Sequence, residues 1–212
     1  MKKVYSILLG AALMLVGSQA YAQLAVGAGY LSSTDKAIVK GGGDTNTEKM
    51  SLDGFYAGAT YDIDLSSITD GLSFEPGAFA NFGFHKDDND VKYRDIALQI
   101  PLNFKYTYEL DGDLNVFGLL GPALQFGLAK KSSYEDAGTT TTVDFYDGDG
   151  ADYNRFNVLL GIGAGIEFGG KFQIRVGYDF GLTNFAKDEV AGVTYTNKRS
   201  GQFKFGVAYV LF

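Results

Sequence analysis

Residues 154–184 read NRFNVLLGIGAGIEFGGKFQIRVGYDFGLTN, and this stretch decides the fold. Within it, every second residue from 156 to 168 is apolar, and the same alternation returns from 172 to 182. Successive side chains of a β-strand point to opposite faces of a sheet, so the alternation predicts two strands. The segment Gly169-Gly170-Lys171 between them predicts a tight turn, because glycine readily adopts the positive φ angles that short hairpin loops need.

The two faces of this hairpin differ in a way that indicates its surroundings. One face is apolar from end to end, whereas the other combines glycine with the ionisable residues Glu167, Arg175 and Asp179. A water-soluble sandwich or a lipocalin-like carrier would expose the glycine-rich face, although small residues suit a crowded interior better than a wetted surface. In a transmembrane β-barrel the apolar face contacts lipid and the polar face fills the interior.

The overall composition fits a protein made of many strands. The chain has 17 Phe, 14 Tyr and 29 Gly but only 3 Pro, and its length suits a single domain. It has no cysteine, so neither a disulfide nor lipoprotein acylation is available to it. The formal net charge is -7, and an acidic chain is a poor candidate for binding nucleic acid.

The N-terminus has the three parts of a secretory signal. Two lysines follow the first Met, an apolar run occupies 7–17, and Ala20-Tyr21-Ala22 is a small-x-small cleavage pattern. The apolar run is shorter than the roughly 20 residues of a membrane-spanning helix, which is the alternative interpretation. We therefore predict a signal peptide at 1–22, cleavage after Ala22, and one β-barrel domain at 23–212.

Alternation elsewhere in the chain predicts six further strands, which gives eight in total. Long polar loops, such as 33–51 and 130–153, alternate with short connections such as 111–113. Antiparallel strands then bring the long loops to one end of the sheet and the short turns, with both termini, to the other. We predict the strands at 24–32, 52–63, 72–84, 92–110, 114–129, 156–168, 172–182 and 200–212.

The predicted sheet has to close on itself. An open edge in hydrocarbon would leave backbone groups unpaired, at several kcal/mol each. The fold class is therefore predicted as all-β, an eight-stranded antiparallel up-and-down transmembrane β-barrel. Pro76 and Pro122 fall inside predicted strands, and because proline cannot donate a ladder hydrogen bond we expect a bulge at each.

The polar face of the predicted barrel carries ionisable residues of both signs. A buried charge without a partner costs several kcal/mol, so these residues are expected to pair within the lumen. An eight-stranded barrel is just wide enough for side chains to fill, and Tyr56, Phe79, Phe117 and Leu159 add bulk. We therefore predict a plugged lumen, with a narrow solute pore as the alternative. The predicted lumen network comprises Glu75, Asp95, Lys105, Glu109, Glu167, Arg175, Asp179 and Lys204.

No motif in the sequence predicts a catalytic site. Some eight-stranded barrels are lipid-modifying enzymes that use a histidine with a serine and an acidic residue. This chain has one histidine, His85, which lies in a charged loop. No motif places a nucleophile beside it, so we interpret it as a solvated loop histidine rather than a general base. We predict no catalytic residue and no cofactor.

The loop sequence DFYDGDGAD at 144–152 brings four aspartates close together. Calcium takes several oxygen ligands, which aspartates and glycines at this spacing could supply. The run lacks the full twelve-residue calcium loop and its closing Glu, so we interpret it as a solvated acidic loop and predict no metal site. The candidate ligands that this interpretation sets aside are Asp144, Asp147, Asp149 and Asp152.

Four stretches resemble the small outer-membrane β-barrel family often called PorT-like. They are PLNFKY at 101–106, GLLGPALQF at 118–126, the run at 161–168, and YDFGLTN at 178–184. They cover the second half of the chain, whereas the first half matches by its alternation alone. The resemblance implies an eight-stranded outer membrane protein beta-barrel domain, but no common reaction.

These observations lead to one functional hypothesis. We expect a non-enzymatic integral protein of the bacterial outer membrane with a filled polar lumen, which serves a structural role or contacts the surroundings through its external loops. The expected partners are outer-membrane lipid and other cell-envelope proteins, with no nucleic acid, and the chain is expected to be a monomer. A lipid-modifying outer-membrane enzyme and a narrow solute pore are the alternatives.

Overall fold

The computed structural model describes residues 22–88, 90–110, 112–136, 139–147, 153–190 and 193–212. The signal segment predicted at 1–22 lies outside these residues apart from Ala22. The described strands are β1 (Ala22–Gly41), β2 (Asp44–Asp64), β3 (Leu72–Lys86), β4 (Lys92–Glu109), β5 (Leu114–Asp136), β6 (Thr139–Asp144), β7 (Phe156–Phe168), β8 (Phe172–Gly181), β9 (Asn184–Val190) and β10 (Val193–Val210).

Eight of these strands form a closed antiparallel ring. Its order is β1-β2-β3-β4-β5-β7-β8-β10, and β10 pairs with β1 to complete it. The prediction of an eight-stranded antiparallel barrel is thereby confirmed. The other two strands form short hairpins beside the ring, because β6 pairs with the end of β5 and β9 pairs with the start of β10.

The outer surface of the ring is apolar and exposed. Leu160 is 41% exposed, Ile162 55%, Phe205 50% and Val207 60%. Their neighbours in sequence point the other way, and Leu159, which directly precedes Leu160, is fully buried. This inverted arrangement is typical of a barrel that places its outer face in lipid. Among the described residues, no helix is long and apolar enough to cross a bilayer.

The expectation of a polar loop at 33–51 is wrong. β1 and β2 instead stay paired along their whole length up to a two-residue turn, Gly42-Gly43, where both glycines have positive φ. The physical reason is that strand pairing beyond the bilayer needs no apolar outer face. The β-branched Thr, Val and Ile of this segment favour a strand even though the charged residues among them resemble a loop. β5 and β10 likewise extend into predicted loops.

Two expectations about bulges are also wrong. The β2–β3 ladder is interrupted opposite Pro76 and the β4–β5 ladder opposite Pro122, but the register is the same on both sides of each gap. Each proline lacks a backbone N–H and therefore interrupts the ladder of hydrogen bonds, but neither strand contains an extra residue at this point. The register shifts elsewhere, at two β-bulges whose extra residues are Leu128 in β5 and Ser200 in β10.

The two ends of the barrel are built differently. At one end, which we name the turn end, both termini of the ring meet the three connections 65–71, 110–113 and 169–171. At the other, which we name the hairpin end, β1 and β2 continue together and β6 and β9 add short hairpins. The strand extensions and the added hairpins therefore share the hairpin end. The connection 87–91 between β3 and β4 at this end is short, so the predicted alternation of long and short loops does not hold there.

Candidate functional site

The lumen at the hairpin end holds a compact set of buried ions, which we name the hairpin-end cluster (Asp35, Asp95, Lys130 and Arg199). Lys130 Nζ lies 2.5 Å from Asp35 and 3.5 Å from Asp95. Arg199 donates from Nε to the other Asp35 oxygen at 3.0 Å and from Nη2 to Asp95. All four residues are at most 9% exposed. Each carboxylate therefore contacts both cations, which is the condition for burying such charges.

Two β-bulges put the cations of this cluster into the lumen. In β10 the register shifts between Gly201 and Arg199, so Arg199 faces inward although it has the sequence parity of the outward residues Phe203 and Phe205. The shift opposite Leu128 in β5 turns Lys130 inward in the same way. Bulges of this kind commonly re-aim side chains at functional sites. Simple alternation could not have predicted either position.

An aromatic ring covers these cations. Lys130 Nζ lies 4.8 Å from the ring centroid of Phe185, and the Arg199 guanidinium carbon lies 5.5 Å from it. Phe185 is itself buried, at a register shift between β9 and β10. The ring therefore excludes water from the cluster and adds cation–π attraction to both cations.

Below the cluster, buried amides reach across the lumen. Gln99 of β4, with no exposed surface, accepts hydrogen bonds from Asn81 of β3 at 2.7 Å and from Gln202 of β10 at 2.8 Å. It also donates to Asp179 of β8 at 2.8 Å and accepts from Lys204 at 2.8 Å. One side chain thus connects four strands of the ring, including strands on opposite walls.

The turn end of the lumen holds a second set of ions, the turn-end cluster (Asp62, Glu75, Lys105 and Arg175). Arg175 makes two parallel hydrogen bonds of 2.8 Å to the Glu75 carboxylate, a geometry that suits the flat guanidinium. Lys105 Nζ lies 2.5 Å from Asp62 and 4.0 Å from Glu75. Gln173 links Glu167 to this cluster. It donates a hydrogen bond to Glu167 at 2.6 Å and accepts one from Arg175 at 2.8 Å.

Little open space remains between the two clusters. A cavity of about 90 Å³ lies beside Tyr56, Gln99, Arg175 and Lys204. At roughly 30 Å³ per water molecule, this volume holds a few waters and no larger solute.

The structure places seven of the eight residues of the predicted lumen network inside the barrel, in the contacts given above or, for Asp179, paired with Lys204 at 2.9 Å. Glu109 is the exception, because it is exposed where β4 ends at the turn end. Sequence reasoning missed Asp35, Lys130 and Arg199, all of which it assigned to loops. It also missed Asp62, which shares inward parity with Tyr56 and could have been found by that signal.

His85 stands apart from these clusters. Its ring lies 5.8 Å from the ring of Tyr93, its partner on β4, and the side chain is half-buried. Among the described residues, no serine or threonine hydroxyl shares a hydrogen bond with it.

Two of the four candidate calcium ligands are described by the structure, and each forms a salt bridge with a basic side chain. Asp144 pairs with Lys131 at 2.9 Å, and Asp147 pairs with Arg155 at 2.6 Å. The Lys131 hydrogen bond, together with backbone N–H donors, holds the pKa of Asp144 below its usual value. Asp149 and Asp152 lie outside the described residues. In the part of the chain that is described, no group of three or more acidic or histidine side chains is placed to hold a metal ion.

The mouth of the barrel at the hairpin end is lined by rings. A cavity of about 250 Å³ lies above the Asp35–Lys130 pair, between Tyr93, Phe185 and the loop residues Phe145 and Tyr153. Phe145 and Tyr153 have ring centroids 5.2 Å apart, and Tyr153 and Phe185 are 6.1 Å apart. Burial raises the pKa of Tyr153. These rings cap the polar lumen at the hairpin end.

A closed ring with an apolar outside and a paired polar inside is the architecture of an outer-membrane barrel. A model of the family described as outer membrane protein beta-barrel domain matches residues 22–187. The chain belongs to this family. It is accordingly a protein of the bacterial outer membrane. A comparison with curated proteins finds no match.

Several solved barrels of the outer membrane are similar to this family member in fold. Ail, the attachment invasion locus protein of Yersinia pestis, is 14% identical, with 88% of this chain and 99% of Ail covered and a TM-score of 0.35. OprG from Pseudomonas aeruginosa is 12% identical, with coverage of 92% and 98% and a TM-score of 0.46. The outer membrane enzyme PagL is 16% identical, with coverage of 84% and 97% and a TM-score of 0.46. At these identities the similarity concerns the fold alone.

Proposed function

We propose that this protein is a non-enzymatic, non-conducting barrel of the outer membrane whose hairpin end faces outward. In this function the barrel presents its external strands and loops to cell-envelope proteins or to the cell surroundings. Short periplasmic turns and longer external segments are usual for such barrels, which supports this orientation. The observation that carries the proposal is the hydrogen-bonded bridge that Gln99 forms across the lumen.

The contents of the lumen support a closed barrel. The two ion clusters lie above and below the Gln99 bridge, and Phe117 and Leu159 fill the wall between polar groups, at 4% and 0% exposure. A solute would have to break several buried ion pairs, and breaking one such pair typically costs 3–5 kcal/mol. We therefore expect no steady conductance from the wild-type chain.

The conductance experiment uses the full chain reconstituted in planar bilayers. The wild type is expected to give no stable single-channel steps, whereas Gln99→Ala combined with Gln202→Ala should raise conductance by opening the centre of the lumen. A matched control, Gln23→Ala, changes an exposed glutamine near the turn end and should behave as the wild type. Large, stable steps from the wild type would refute the proposal in favour of a pore.

In the part of the chain that the structure describes, His85 shares no hydrogen bond with a serine or threonine hydroxyl, which supports the non-enzymatic part of the proposal. Lipid incubated with the purified barrel is expected to stay intact, and His85→Ala should change nothing. Lipid turnover by the wild type that His85→Ala abolishes would establish the lipid-modifying alternative instead.

Three finer features belong to the same proposal. The stretches 101–106, 118–126 and 178–184 support placement in the PorT-like branch of the family. The pattern before Gln23 supports removal of 1–22 as a signal peptide, which the mass of the mature chain tests directly. The barrel is proposed to be a monomer, and sedimentation in detergent would test that.

A further inference from the structure

The cross-strand register at the hairpin end brings like charges together on the outer surface. Residues that are direct partners in antiparallel strands have Cβ atoms about 4.5–5.5 Å apart, and like charges at such positions repel. Four direct pairs of this kind occur: Lys36 with Lys198, Lys36 with Lys49, Lys86 with Lys92, and Arg94 with Lys131. We name these seven side chains the cationic girdle.

The girdle faces outward. Lys36 follows Asp35, whose side chain is in the lumen, and Lys198 precedes the lumen residue Arg199. Neighbouring side chains in a strand point to opposite faces, so both lysines project from the outer wall. The other members alternate with inward residues in the same way, and Arg94 is exposed beside the buried Asp95.

The girdle lies beyond the apolar band of the barrel, towards the hairpin end. Lys86 is two residues past Phe84, which is 44% exposed, and Arg94 is two residues past Ile96. At about 3.3 Å per residue, each charge is roughly 7 Å further along its strand. On β1, Lys36 is six residues past Tyr30, which is 45% exposed, and on β2 Lys49 is six residues past Phe55, which is 51% exposed. The girdle members thus lie on six neighbouring strands of the ring, two to six residues beyond the band.

The chain itself neutralises little of this charge. Lys86 pairs with Asp90 at 2.5 Å and Lys131 with Asp144 at 2.9 Å. For the other five members, no acidic side chain among the described residues lies within ion-pair distance. The whole chain is acidic, with a formal charge of -7, so the clustering of cations here is local.

We propose that the cationic girdle binds the phosphate groups of anionic lipid headgroups in the outer leaflet of the membrane. Lysine and arginine are the side chains that bind phosphate, and basic residues just outside an apolar segment attract anionic lipid surfaces. Lipid phosphates would relieve the repulsion between the direct pairs, and the members nearest the apolar band, Lys86 and Arg94, lie about 7 Å beyond it along their strands, where headgroups begin. This inference rests on the proposed outward orientation of the hairpin end.

The test measures lipid retention by the folded full chain. Protein in detergent micelles is mixed with lipid A that carries its phosphates, or with the same lipid after removal of the phosphates, and bound lipids are counted by native mass spectrometry. The wild type is expected to retain the phosphorylated lipid severalfold better. Raising NaCl from 0.1 M to 1 M shortens the Debye length from about 10 Å to about 3 Å and should remove most of that preference.

Matched variants locate the effect. Lys36→Gln with Arg94→Gln should lose most of the preference, whereas Lys40→Gln with Lys171→Gln, which removes the same charge outside the girdle, should keep it. Lys36→Arg with Arg94→Lys conserves the charge and should also keep it. The gel mobility of unheated and boiled samples reports whether each variant folds.

Three results would overturn the inference. They are equal retention of both lipids by the wild type, a preference that survives 1 M NaCl, and displacement of the lipid by equimolar soluble polyphosphate. The first two use the wild type alone, so they decide the matter even if a variant does not fold. Conductance or lipid turnover would contradict the proposed function without changing lipid retention, so the two proposals fail separately.

Discussion

The hairpin end and the turn end of this barrel share one closed sheet but differ in charge. At the turn end, the exposed charges are mostly acidic, with Asp64, Asp70, Glu109 and Asp113 against Lys171. At the hairpin end, the exposed charges are of both signs, because the cationic girdle is accompanied by exposed acidic residues: Asp44, Glu48, Asp53, Asp88, Asp90 and Glu135. The sheet is continuous between the two ends, so the difference comes from residues outside the lipid-facing band. The band sets the depth of the barrel, and each end is free to suit its own aqueous surroundings.

The same contrast continues inside the lumen. In the hairpin-end cluster, the Arg199 side chain is 3% exposed and contacts two carboxylates. In the turn-end cluster, the Arg175 side chain is 14% exposed and pairs with the Glu75 carboxylate. The arginine of the hairpin-end cluster is therefore more deeply buried than the arginine of the turn-end cluster, although Glu75 and Lys105 are as well buried as their hairpin-end counterparts.

The largest expected effect comes from removing the more deeply buried of these two arginines. Arg199→Leu would leave Asp35 and Asp95 with Lys130 alone, and removing one partner of a buried ion pair typically costs about 3–5 kcal/mol. Arg175→Leu should cost less, because its site is more accessible to water. Urea unfolding of both variants in lipid bilayers would measure the difference. Equal losses of stability would show that the two ends are sealed alike.

A second expectation separates the lipid-facing band from the strand extension above it. Leu160→Arg puts a cation into the apolar outer stripe and should cost about 2–4 kcal/mol near the bilayer midplane. Thr47→Arg, on the exposed part of β2 beyond the band, should change stability by less than about 0.5 kcal/mol. Urea unfolding in bilayers tests both. Unchanged stability of Leu160→Arg would place that face outside lipid.

The smallest expected effect is a pH dependence confined to the hairpin end. Hydrogen bonding to Lys131 lowers the pKa of Asp144 below its model-peptide value of 3.8. Because the pKa of Asp144 is lower in the folded than in the unfolded state, its ion pair stabilises the folded state at pH values above the unfolded pKa. This contribution is complete above about pH 4, and it is lost as pH falls through the folded pKa. For such an exposed pair it amounts to about 0.2–1 kcal/mol.

Hydrogen exchange of the β6 amides at pH 6 and at pH 3 would measure this change. Protection of β6 should fall at the lower pH in the wild type, while protection of β8 at the turn end stays the same. In the Asp144→Asn variant, the β6 amides should be equally weakly protected from exchange at both pH values. A wild type with no pH dependence in β6 would show that this pair does not hold the hairpin.

The prediction of strands from the sequence succeeded where lipid imposes a rule. Within the band, each outward residue must be apolar, so β7 and β3 begin where the alternation predicts. Beyond the band, water accepts either kind of side chain on both faces, and the alternation fades although the strands continue. The segments 33–51 and 193–199 were therefore expected to be loops.

The candidate site was predictable to the same extent. Glu75, Lys105 and Arg175 lie at inward parity inside the band, so alternation alone assigns them to the lumen. Lys130 and Arg199 reach the lumen through bulges, which no periodic pattern reveals because an inserted residue reverses the parity after it.

The sequence by itself determined the barrel, its strand count and the face that meets lipid, because a bilayer allows only one pattern of side chains on a spanning strand. Only the tertiary structure decided which charges meet. Ion pairs across the lumen and the rows of the girdle depend on register and bulges, which are fixed by contacts between strands far apart in the chain.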